Sequence, residues 1–171
     1  MSAGIFLDDF ERTENTDELH AVLGRALVIA TKFDSNCKTA ALQIQLIESA
    51  SSGDINDLSL LLERLTKKYK NQTLSSSIKA LKLQEASVLL VDAKDARNAV
   101  AHDLAKGLTG CLDTKLNREA PVKEVADLIF DIAHGAIAIS HVLSALNDET
   151  PLRPEFIETY VQRVVRWVVE R

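Results

Sequence analysis

Glycine and proline are scarce, with six and three in 171 residues. Folds made of tight turns and short strands need both, so the shortage excludes a turn-rich β architecture and suits long helices. Only two cysteines occur, Cys37 and Cys111, in neither a CxxC pair nor a zinc spacing. That excludes a disulfide scaffold, and two ordinary thiols in a reduced, cytoplasmic setting are expected. The start, Met1-Ser2-Ala3-Gly4-Ile5-Phe6-Leu7-Asp8-Asp9, has no basic region and meets acids too early for a signal peptide. Apolar stretches such as Ala26-Leu27-Val28-Ile29-Ala30 are too short to span a bilayer, so no membrane association is expected. A Gly-rich phosphate loop, HExxH and a nucleophile motif are all missing. Neither a cofactor nor a metal site is expected.

What is present is an ordinary globular composition, 46% hydrophobic and 26% charged, long enough for one domain over 1–171. The net charge of −5 argues against indiscriminate nucleic-acid binding, but it is unevenly spread. From Arg64 to Gln84 there is no acid, while Arg64, Lys67, Lys68, Lys70, Lys79 and Lys82 make the window +6. Two readings stand for it: an RNA-phosphate footprint, or a solvated loop and helix start.

The periodicity predicts an all-α bundle of about five helices. Asn15-Thr16-Asp17-Glu18 reads as an N-cap with its Glu three residues on, opening a helix toward Ser49. Leu19, Val22, Leu23, Leu27, Ala30, Ala41, Ile44 and Ile47 mark its apolar face, with Gly24 and Ser35-Asn36 as places for a kink. Asp54 is the expected cap of a second helix to about Tyr69. A third runs from Ser75-Ser76-Ser77 to about Lys106, ahead of Gly107 and Gly110. Pro121 opens a fourth helix to Leu146, and Pro154 a C-terminal one over 154–171 that packs on the bundle or covers a partner's surface.

The third helix carries Arg97-Asn98-Ala99-Val100-Ala101-His102. Arginine is permanently charged and grips phosphate with a fork of donors, while histidine moves protons near neutral pH. An Arg five residues before some His is a weak signal, arising by chance in about one such chain in five. Requiring Asn next to the Arg brings this to roughly one in a hundred. On that helix Leu89, Ala93, Ala96, Val100 and Leu104 form a core stripe. At about 100° per residue, Asn98 and His102 fall opposite it, one above the other, with Arg97 on the flank. A histidine filling the core belongs on the stripe, and this one is off it. His134 and His141 lie seven residues apart, about 10 Å along a helix, too far to chelate one metal. Asp131 and His134, at i and i+3, read as an orienting or capping pair.

The segment Asp95–His102 resembles the signature of the HEPN superfamily (higher eukaryote and prokaryote nucleotide-binding domains): an Arg, a polar residue often Asn, three variable residues and a His, on a late helix of a small α bundle. Leu23-Gly24-Arg25-Ala26-Leu27 in the first helix also looks typical. The resemblance implies metal-independent endoribonuclease chemistry. His102 is then the general base for the 2′-OH, Arg97 stabilises charge on the phosphate oxygens, and Asn98 orients the imidazole or a phosphate oxygen. It further implies a homodimer joining two motifs in one cleft, a toxin or defence setting, and an antitoxin or nucleotidyltransferase partner. The branch paired with minimal nucleotidyltransferases usually has a Tyr two residues after the His; here Asp103 is followed by Leu104, so adenylylation of that Tyr does not carry over. The alternative is a catalytically silent module of the same fold that binds RNA, a nucleotide or a protein partner.

Overall fold

The long first helix, α1 (Glu14–Ser51), spans 38 residues and is the spine of the molecule. The computed structural model describes residues 14–53, 57–83, 87–104 and 119–170. After α1 come α2 (Leu58–Lys70), α3 (Leu74–Ala80), α4 (Ser87–Asn98), a π-helical turn at Ala99–Asp103, α5 (Glu119–Leu146) and α6 (Pro154–Val169). No strand occurs among the described residues. The all-α bundle expected from the periodicity is therefore what forms, with six α-helices among the described residues.

The extra helix comes from the stretch expected to be continuous from Ser75 onward. α3 ends at Ala80, and Lys82 takes a left-handed backbone at φ 54°. Such a conformation is costly for a residue with a Cβ and does not continue a right-handed helix. The reversal buries Leu81 in the core and leaves Lys82 Nζ 2.7 Å from Glu48. Gly107 and Gly110 lie outside the described residues. Two caps also differ from expectation. The carboxylate of Asp57, not Asp54, accepts the Ser59 and Leu60 amides of α2, and Thr73 rather than the serines caps α3. α1 already includes Asn15 and runs on through Gly24 and Ser35-Asn36 without a break.

α5 is the central element, packed against α1, α4 and α6, while α2 and α3 lie on α1. By length and composition it is also apolar enough to cross a membrane, with a window of mean hydropathy 1.5. Here that apolar surface supplies Val125, Ile129, Ile132 and Ile139 to one core shared by all six helices. α1 meets α5 mainly through small side chains, Ala26, Ala30, Cys37, Ala40 and Ala41, around the buried Phe33. Leu27 and Ile47, expected on the apolar face, are instead 45% and 48% exposed. Small residues let helices approach closely, so alanine rather than leucine marks this core face. Gly135 completes the close approach: a Cβ there would strike Ala93 Cβ and come within 3.0 Å of the Phe33 ring.

Cys37 is fully buried, and burial first, with Asp34 second, pushes its thiol up to about 12. The thiolate is the nucleophile, so Cys37 is expected to stay unalkylated by iodoacetamide at pH 8 until denaturant is added, as peptide mass spectrometry would show. The raised value favours the protonated folded form. Its contribution to stability is complete below about pH 9 and is lost as pH climbs toward 12. Modification of Cys37 in the folded protein would contradict this packing.

Candidate functional site

α4 presents two faces. Leu90, Ala93, Ala96, Val100 and Leu104 are buried. Leu90 takes the place expected for Leu89, which is 45% exposed. The outward face carries Val88, Val91, Asp95 and His102, with Asn98 half-buried at its edge. Asp95 pairs with Lys94 at 2.9 Å.

Past Asn98 the helix widens. The Leu104 amide donates to the Ala99 carbonyl, an i→i+5 bond, and Ala99–Asp103 form a π turn. In a straight α-helix, residues five apart point about 140° away from each other. A π turn stacks residues five apart, and such turns concentrate at functional sites.

Arg97 itself points inward rather than bending toward the groove of His102. Its Nη2 donates to Asp34 Oδ2 at 2.7 Å, across to α1, and its Nη1 donates to Asn98 Oδ1 at 3.1 Å. Asp34 is 9% exposed, and its Oδ1 lies 3.4 Å from Lys38 Nζ. A guanidinium has five N–H donors; with two engaged, three remain for a ligand. The nearest structural cations to this acid are therefore Arg97 and Lys38, which outnumber it.

The basic window sits elsewhere. Lys67, Lys68, Lys70, Lys79 and Lys82 are all exposed. Lys68 Nζ donates to Gln45 Oε1 at 2.8 Å and Lys82 reaches Glu48, both near the end of α1. Those positions are 11 and 14 residues beyond Asp34, about 16–21 Å along a helix axis. The lysines and the Arg97–His102 segment form two patches rather than one cleft.

A groove of about 750 Å³ opens between α5 and α6, lined by Leu89, Phe130, Ile137, Val142 and Ile157 with His134 and His141 on its wall. His134 packs edge-on to Phe130 at 4.6 Å between ring centres. Burial and then Asp92 raise the Asp131 carboxyl, whereas His134 acts to lower it.

Two residues escaped the sequence reading: Asp34 and its helical neighbour Lys38. A signal for the first was there. In the run Ala30, Asp34, Cys37, Ala41, a charge interrupts an otherwise apolar stripe at helical spacing. Comparison of the chain with protein-family models, curated proteins and solved structures gives no match.

Proposed function

We propose that this chain is a metal-independent endoribonuclease of HEPN type that acts as a homodimer. The observation carrying the reading is the layout of the motif: an arginine oriented from behind by a buried carboxylate, and an exposed histidine on a π turn one helical step away. In the reaction, His102 takes the 2′-OH proton as that oxygen attacks phosphorus. The P–O5′ bond breaks, and a second His102, from the other copy, protonates the departing 5′-oxygen. Arg97 balances the negative charge gathering on the phosphate oxygens. The products are a 2′,3′-cyclic phosphate and a 5′-OH.

The outward face of α4 supports the dimer. Val88 and Val91 are 66% and 42% exposed and lie on the face that carries His102, so two copies meeting there bury apolar surface and bring two motifs together. Lys67, Lys68, Lys70, Lys79 and Lys82 hold flanking RNA phosphates in this reading. The test is cleavage of end-labelled total RNA in EDTA, wild type beside His102→Ala. EDTA-resistant cutting is expected from the wild type, and its loss of about 10²–10⁴-fold in the variant assigns proton transfer to His102.

A second reading, a silent module binding RNA, a nucleotide or a protein, is favoured by one observation: two of Arg97's donors are already committed within the protein. No cutting by folded wild-type dimer would select it.

A further inference from the structure

We propose that Asp34 is a positioning residue that holds Arg97 and Asn98 as a donor-rich surface for a phosphodiester. The proposal rests on the ribonuclease reading and adds to it a residue on another helix. Asp34 lies 63 residues from Arg97 in the chain and on the buried side of α1, beside Phe33 and Cys37. Burying a carboxylate is costly, and an apolar pair of equal volume generally stabilises a fold as well or better. Nor is this acid fully compensated. Its Oδ2 accepts from Arg97, but its Oδ1 accepts no hydrogen bond and faces Lys38 only as a charge. As a fastener between helices it is a poor choice. What it does well is fix a direction.

The consequence passes through Arg97 to Asn98. Arginine has donors and no acceptor, so the Asn98 atom 3.1 Å from Nη1 must be Oδ1. That contact holds the amide oxygen toward Arg97 through one of its two lone pairs and leaves the NH₂ at the other end. Apart from the second lone pair of that oxygen, the polar valences left on the Arg97 and Asn98 side chains are donors. Three guanidinium N–H groups and an amide NH₂, with Lys38 adding charge behind them, suit an anion whose oxygens only accept. The half-buried Arg97 and Asn98 border the exposed His102 on the same stretch of chain. A phosphodiester gripped there by its non-bridging oxygens lies beside the residue proposed to take the 2′-OH proton.

The test uses the full chain labelled with ¹⁵N, following the Arg97 Nε–H and Asn98 NH₂ resonances. Two probes are titrated: inorganic phosphate, and an RNA oligonucleotide whose 2′-OH groups are replaced by hydrogen so that it cannot be cut. Asp34→Asn and Asp34→Glu are compared with wild type, alongside RNA cleavage measured as separate kcat and KM. Both resonances are expected to shift with the oligonucleotide in the wild type. In Asp34→Asn the midpoint should rise and kcat should fall by roughly 10- to 100-fold, as for a misplaced catalytic group; Asp34→Glu should recover most of both. The pH profile of the residual activity should keep the limb due to His102. If folded Asp34→Asn binds and cuts like the wild type, or loses only thermal stability, Asp34 is structural and the proposal falls. If Asp34→Asn does not fold, the wild type decides: no shift at Arg97 and Asn98 with either probe overturns it. Shifts with phosphate but not with the oligonucleotide also overturn it, marking a free-anion site. If both probes bind there and Asp34→Asn weakens them, yet RNA is never cut, the positioning role stands and the ribonuclease reading fails.

Discussion

Gly135→Ala is expected to destabilise the protein by about 2–3 kcal/mol, and Gly135→Val to prevent α4 from docking on α5. The added Cβ would collide with Ala93 Cβ, with the Phe33 ring at 3.0 Å and the Leu89 carbonyl oxygen at 3.3 Å on its other sides. None of these can rotate aside. A Cβ is fixed to its backbone, a main-chain carbonyl is held by the helix, and Phe33 is itself fully buried. Alanine would recover about 1 kcal/mol of helix propensity over glycine, so the figure is a net one. For a chain of this length it corresponds to a fall in Tm of roughly 4–12 °C, measurable by thermal or denaturant unfolding. Ala93→Gly in the same chain should return part of the loss, because it removes the atom struck. Unchanged stability of Gly135→Ala would mean that the two helices do not approach this closely.

If the proposed ribonuclease reading holds, Arg97→Ala should weaken both stability and RNA cleavage, and the two losses separate cleanly. Removing the guanidinium leaves the buried Asp34 carboxylate facing only Lys38, 3.4 Å away. Breaking a buried pair from one side costs about 3–5 kcal/mol. Here the side chain of Arg97 is 23% exposed and Lys38 remains, so about 2 kcal/mol is expected. Adding Asp34→Ala should restore much of that stability, since no charge is then stranded, and the cycle should show coupling of about 1–3 kcal/mol. Cleavage should not return. Loss of one oriented donor to a developing oxyanion costs about 10²–10³ in kcat, and the double variant still lacks it. Arg97→Lys should fail as well, because an ammonium cannot hold Asp34 and Asn98 with two arms and still present a planar edge. Strictly additive stability effects would show that the two side chains do not interact.

Why some of this was legible in the sequence and some was not follows from the range of the forces involved. Period and caps are local, and they read well: Pro121 does lie in the first turn of α5 and Pro154 does open α6. The ends that misled were those decided at a distance. Asp54 and Asp57 are equally good caps by type; Asp57 is the one that caps α2, and Asp54 lies outside the described residues. Lys82 looks like a helix residue by type, and its left-handed backbone goes with the burial of Leu81 beside it. The α4 stripe was correct for Ala93, Ala96, Val100 and Leu104, yet slipped from Leu90 to Leu89, two residues identical in type. In the candidate site, the spacing of Arg97, Asn98 and His102 is written in the sequence. The direction of the guanidinium is not, because it is set by a carboxylate on another helix.

The π turn at Ala99–Asp103 has one more consequence, best put as an account of chain length. A π turn is what one surplus residue becomes when a helix absorbs it without a loop. Within the Arg97–His102 spacing, the last four residues, Ala99 to His102, belong to that turn. Delete a residue from this turn and a plain α-helix can close the gap, with Ala93 and Ala96 still packed as before. The stretch that carries the imidazole would change its setting, and the buried Val100 and Leu104 would have to repack with it. The joint thus sets the imidazole and two core side chains together, so that neither can be moved without the other.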